Sequence, residues 1–220
     1  MSPTRTSFKQ ELNNLRHDMI YMGDEIQNIL ELTLDVIIDN DVDKALVVIN
    51  GDDEIDEMEI AIQRQCVLLI AKEQPLAKDL RLIMSIIKIV TDMERIADQC
   101  EEICRYCLKL NDNHHTETDA FKRHVNQMAL AIDKMLRKTL DSFRSKDVEA
   151  MLAVCEYDDN IDARFANIWQ EIITEMKADN EFIPLGPHYI MIIKYLERIA
   201  DHTTNIAEWM IYNITGEYTM

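Results

Sequence analysis

The sequence is short of turn formers. Four glycines and four prolines serve 220 residues, where average usage of the two together would be about 12%. Turns draw on these residues for their special backbone angles, so a many-stranded sandwich or barrel is excluded. Long apolar runs are also missing. No stretch reaches the 18 unbroken apolar residues of a membrane-spanning helix. The first ten residues carry no apolar segment of the kind a secretory signal has, so a cytoplasmic protein with no membrane insertion is expected. Cations are scarce as well: 23 Lys and Arg face 41 Asp and Glu, for a net charge of −18. Such a surface repels phosphate backbones, so no nucleic-acid partner is expected. Cysteines number five, an odd count. Four lie inside apolar helical patterns, which reads as reduced thiols.

What remains is apolar and periodic. Hydrophobic residues make up 47% of the chain, enough for a core and too many for a disordered acidic tail. Phe8, Leu12, Leu15, Met19, Met22, Ile26 and Ile29 alternate steps of four and three, the mark of an amphipathic helix. The same reading along the chain predicts six long helices, at about 7–39, 42–72, 75–110, 117–145, 147–179 and 186–214. Asp41 and Asp147 are suited to cap the second and fifth. The polar stretch Asn111 to Thr116, with His114 and His115, is the one obvious linker. An all-α fold follows, with domains at 1–111 and 112–220.

The two halves repeat. Asp52-Asp53-Glu54-Ile55-Asp56 matches Asp158-Asp159-Asn160-Ile161-Asp162 at an offset of 106. Glu94-Arg95-Ile96-Ala97-Asp98 recurs unchanged as Glu197-Arg198-Ile199-Ala200-Asp201 at an offset of 103. Two motifs in the same order at nearly equal offsets argue for a duplicated three-helix unit.

Each repeat carries an acidic row beside its apolar seam. In the third helix the seam runs Leu82, Ile86, Ile89, Met93, Ile96, Cys100, Ile103, Cys107, Leu110, and Glu94, Asp98 and Glu101 share a face off that seam. Glu197 and Asp201 occupy the same place in the sixth helix, extended by Asn205 and Glu208. Asp52, Asp56 and Glu59 form a row on the second helix. Asp158 and Asp162 repeat its first two members, and Phe165 stands where Glu59 does. Like charges four apart weaken a helix by about 0.2–0.5 kcal/mol per pair. A bound cation reverses that sign. Carboxylates are hard oxygen ligands, suited to Mg²⁺, Ca²⁺, Mn²⁺ or ferric iron. The competing reading is a solvated face with Arg95 and Arg198 as counter-charges.

Pro75-Leu76-Ala77-Lys78-Asp79-Leu80-Arg81, the doubled Leu/Met-Glu-Arg-Ile-Ala-Asp element and His202-Thr203-Thr204-Asn205-Ile206-Ala207-Glu208 resemble the PhoU family of phosphate-signalling regulators. The resemblance implies two tandem three-helix bundles with metal clusters on their surfaces. Carried over by position, the metal ligands are Asp52, Asp56, Glu94 and Asp98, then Asp158, Asp162, Glu197 and Asp201. Iron is the expected metal, with manganese, magnesium or zinc as alternatives. The implied role is non-enzymatic: restraint of phosphate uptake and of the starvation response. The implied partners are the phosphate transporter's ATPase subunit and the sensor histidine kinase, with self-association into a homodimer or larger assembly. Gln99-Cys100-Glu101-Glu102 in the first copy departs from His202-Thr203-Thr204-Asn205 in the second, which puts equal metal affinity in doubt.

Two other functional readings compete. A di-metal carboxylate enzyme would normally place Glu-x-x-His inside its bundle, and that motif is absent from the sequence. A metal-free helical scaffold is the other. Cys100, Cys104 and Cys107 have the spacing of an iron–sulfur motif but fall in a continuous helix, so they read as core residues. His202 reads as a surface histidine, with a bound metal or phosphate within reach as its functional alternative. Trp169 and Trp209 read as partly buried, and no nucleotide-binding glycine loop occurs.

Overall fold

A computed structural model describes residues 3–111 and 119–217. It contains six α-helices: α1 (Pro3–Asp39), α2 (Val42–Glu73), α3 (Ala77–Asn111), α4 (Asp119–Ser145), α5 (Val148–Ala178) and α6 (Gly186–Thr215). A short 3₁₀ turn, Asn180–Phe182, joins α5 to α6. The expected linker histidines His114 and His115 lie outside the described residues, as does the segment holding the 111/112 boundary.

Local chemistry sets the helix ends. The Asp41 carboxylate accepts the Lys44 N–H at 3.1 Å, and Asp147 accepts the Ala150 N–H at 3.0 Å. Each side chain satisfies one of the donors that a helix start leaves unpaired. Gln74, Lys146 and Gly216 take left-handed backbone angles just past helix ends, which stops the helical ladder.

Helices α1, α2 and α3 form one bundle and α4, α5 and α6 the other. The two join chiefly along α3 and α6, with α1 against α4 as a second seam. The predicted seam is buried from Leu82 to Cys107 on α3, and its counterpart from Leu185 to Met210 on α6. The buried arc is wider than that seam. Ile83, Val90, Ala97 and Cys104 on α3 are also buried, because α3 packs on α1, α2 and α6 together. Apolar contact on more than one side requires more than a single stripe.

Polar contacts lock the seams between bundles. The Gln27 amide donates to Asp133 at 2.6 Å, and Arg137 pairs with Glu31 at 2.8 Å, both joining α1 to α4. Cys66, Cys100, Cys104 and Cys107 are buried thiols, and burial pushes Cys66 and Cys104 up to about 12. They are core residues, as the helical spacing predicts. Trp169 and Trp209 are half-buried.

Gly23 sits at the α1–α4 contact. A Cβ there would stand 2.9 Å from Leu140 Cδ2 and 3.1 Å from Met93 Cε. Gly51, in mid-α2, has nothing within 4 Å of its Cβ position. Gly23→Val should therefore destabilise by about 1–3 kcal/mol through overpacking. Gly51→Ala should stabilise by about 0.5–1 kcal/mol through helix propensity. Chemical denaturation of both variants measures the two opposite shifts.

Candidate metal centre

In the first bundle α2 lies against α3, which brings their acidic rows face to face. Asp52, Asp56 and Asp98 each offer a carboxylate oxygen, and these oxygens lie within 4.8 Å of one another. All three residues are half-buried. Glu94 stands one turn before Asp98, also half-buried. Asp56 Oδ1 and Glu94 Oε2 are buried and make no hydrogen bond; Glu94 Oε2 faces Arg95 Nε at 3.3 Å, while Asp56 Oδ1 faces no donor. Arg95 is the local counter-charge, 2.9 Å from Asp98 and 3.3 Å from Glu94. It is exposed at the rim and leaves Asp52 and Asp56 unpaired with any cation among the described residues.

Crowding and burial show in the acidities. Asp52 is raised to about 6, by burial first and then by Glu101, Asp98 and Asp56. Glu94 is raised to about 7, by burial first and then by Asp98, with Arg95 opposing. These groups resist ionising together while no cation is present. A donor set made only of carboxylate oxygens, one of them lacking any donor, fits a hard cation.

The second bundle repeats the frame with altered contents. Asp158 is raised to about 6, by burial and then by Asp201 and Asp162, and its Oδ1 is a buried oxygen without a donor. Asp201 stands at the exposed rim yet is crowded by protein atoms. Partial loss of hydration, then Glu197, raise it. Asp162 is exposed. Among the described residues, no three of these four carboxylates converge as Asp52, Asp56 and Asp98 do.

A correlated exchange explains the difference. In the first bundle Thr91 and Gln63 each donate to Glu59 Oε1 at 2.7 Å. At the offset of 103 Lys194 stands where Thr91 does, and at the offset of 106 Phe165 replaces Glu59. The Lys194 ammonium lies 5.4 Å from the centre of the Phe165 ring and pairs with Glu197 at 2.5 Å. Lys194 thus supplies a resident positive charge in the second bundle. Arg198 makes no ion pair among the described residues, so Lys194 takes the neutralising role expected of it. Lys194 and Thr91 were not evident as site residues from the acidic motifs. The offset of 103 that relates the two rows is the signal that finds them.

His202 is not a surface histidine. Its Nδ1 lies 2.9 Å from Asp92 Oδ1, and both side chains are largely buried. Asn205 donates to the same oxygen at 3.2 Å. The trio pins α6 to α3 beside the acidic row.

A family model described as the PhoU domain matches residues 19–107 and again 125–210. The chain belongs to the PhoU family. It is 32% identical over 215 residues to a phosphate-specific transport system accessory protein PhoU homolog of Clostridium acetobutylicum, covering 97% of each. The crystal structure of PhoU from Pseudomonas aeruginosa superposes with a TM-score of 0.89 at 34% identity, over 96% of this chain and all of that one. The phosphate transport system regulatory protein PhoU from Streptococcus pneumoniae superposes with a TM-score of 0.88 at 30% identity, over 97% and 99%. The all-α fold of two PhoU repeats expected from the duplicated motifs is therefore the fold of this chain.

The raised acidities fix a pH dependence. A carboxylate with a raised folded pKa binds more protons folded than unfolded, so its contribution to stability falls as pH rises. In metal-free protein, Asp52, Glu94 and Asp158 should destabilise progressively from about pH 4 to above pH 7, the span from ordinary carboxylate values to their raised ones. Asp52→Asn/Glu94→Gln should flatten that slope. Melting temperatures across this range, compared with wild type, measure the difference.

Proposed function

We propose that this chain is a metal-binding regulatory adaptor of phosphate uptake, acting without catalysis. The carrying observation is the convergence of Asp52, Asp56 and Asp98, with the buried Asp56 Oδ1 lacking any hydrogen-bond donor. Family membership supports the setting, since the relatives are named accessory and regulatory proteins of phosphate transport. A cation at the first bundle would be held by Asp52, Asp56, Glu94 and Asp98, and at the second by Asp158, Asp162, Glu197 and Asp201. It supplies positive charge that ties neighbouring helices together. Iron suits this all-oxygen donor set, with manganese, magnesium or zinc as alternatives. The first bundle is the tighter site, because Lys194 already neutralises part of the second.

In this reading the adaptor restrains both uptake and the starvation response. It does so by docking on the transporter's ATPase subunit and the sensor histidine kinase, as a homodimer or larger assembly in the cytoplasm. The docking role is supported by apolar side chains left in solvent along α2: Leu46, Val47, Ile60, Val67 and Leu68 are all exposed. Exposed apolar surface of this kind marks interaction sites. Among the described residues no helix is long and apolar enough to cross a membrane.

Two measurements check the proposal. Elemental analysis and melting curves before and after chelation should show bound metal and a lower midpoint without it. Asp56→Asn/Asp98→Asn should lose more metal than Asp162→Asn/Asp201→Asn. Affinity capture from phosphate-replete cells should recover the ATPase subunit or the kinase. A metal-loaded protein whose midpoint is indifferent to chelation contradicts the metal role, and recovery of neither partner contradicts the adaptor role.

A further inference from the structure

One cleft of this acidic chain is lined by four basic side chains and no acidic one. It lies where α1, the start of α3 and the ends of α4 and α6 meet, with a volume of about 280 Å³. Arg16, Lys78, Arg144 and Lys146 supply its cations, and Ile20, Phe143 and Ile214 add apolar wall. In a chain of 41 acids and 23 bases, four bases around one small cleft reverse the overall bias. Arg144 is tied to Asp24 and Asp141. Arg16, Lys78 and Lys146 make no ion pair among the described residues.

The cations come from segments distant in sequence. Arg16 is on α1, Lys78 in the first turn of α3, and Lys146 in the turn after α4. Lys146 has a left-handed backbone (φ 58°), where a helix end usually places glycine or asparagine. A lysine is kept there despite that preference.

We propose that this cleft binds a compact polyanion of the di- or triphosphate class. Arginine and lysine engage phosphate oxygens through charge-assisted hydrogen bonds. Arg16, Lys78 and Lys146 would share the anionic charge, with Arg144 at the edge. The wall of Ile20, Phe143 and Ile214 would contact any organic body attached to it. Inorganic diphosphate and a nucleotide offer the same anionic group, and the apolar wall distinguishes them. The site is separate from the acidic rows, and its occupancy does not depend on a metal there.

Titration calorimetry on the full, metal-stripped chain at physiological salt tests this, with inorganic diphosphate and ADP as probes. One equivalent of probe should bind. Lys78→Glu and Lys146→Glu, both at exposed positions, should each weaken binding about tenfold or more, the loss of one charge-assisted contact. Lys134→Glu, an exposed cation elsewhere on α4, should leave binding unchanged. Arg16→Gln gives the same readout should a charge reversal lower the melting temperature. Equal affinity for the two probes assigns the inorganic ligand, and tighter ADP binding assigns the nucleotide. Absence of binding at millimolar probe overturns the proposal. So does affinity in the Lys78 and Lys146 variants equal to that of wild type or of Lys134→Glu.

Discussion

Ionised carboxylates on adjacent helices repel, and the packing of α2 on α3 forces several of them together. Asp52, Asp56 and Asp98 meet within 4.8 Å, with the buried Asp56 Oδ1 lacking any hydrogen-bond donor, and Glu94 stands beside them. Burial strengthens the repulsion, because lower dielectric enlarges every charge–charge interaction. The apolar seam of α3 leaves no freedom to relieve it. Met93, Ile96 and Ala97, next to Glu94 and Asp98 in the chain, are buried, so the backbone carrying these carboxylates stays where the core puts it. Proton uptake relieves part of the repulsion, as the raised acidities of Asp52 and Glu94 show, and positive charge relieves it without protonation. Arg95 provides part of that charge from the rim, and the hard cation proposed above would provide the rest.

The duplicated half shows what a second remedy looks like. Glu59 becomes Phe165, Thr91 becomes Lys194, and Glu101 becomes Thr204 at corresponding positions. These three exchanges remove two carboxylates and add one ammonium, while Glu208 stands where Arg105 does. Lys194 both stacks near Phe165 and pairs with Glu197, so these exchanges make one local arrangement. The two bundles share a backbone plan and differ in electrostatic content, which is the ground for proposing the first as the tighter metal site.

Much of this was legible in the sequence, for a physical reason. Helix period, caps and duplication are local patterns, so Asp41, Asp147 and the seams of α3 and α6 could be read from spacing alone. The acidic rows were visible the same way, because residues four apart share a face. Contacts across helices are not encoded in any local period. The Asp92–His202 pair spans 110 positions, and its register is set by how α3 and α6 slide together. The wider buried arc of α3 escaped for a related reason: a search for one best stripe does not reveal how many neighbours a helix has. Lys194 lay within reach of the repeat alignment, but acidic motifs draw attention away from the cation between them.

Cations are proposed to neutralise the carboxylates that α2 and α3 bring together. An anomalous-difference map from a crystal grown with iron, recorded on both sides of the iron edge, tests this most directly. The account predicts iron in contact with Asp52, Asp56 and Asp98, at higher occupancy than any iron beside Asp158 and Glu197. A map with those carboxylates separated and hydrated, and no anomalous signal between α2 and α3, would contradict it.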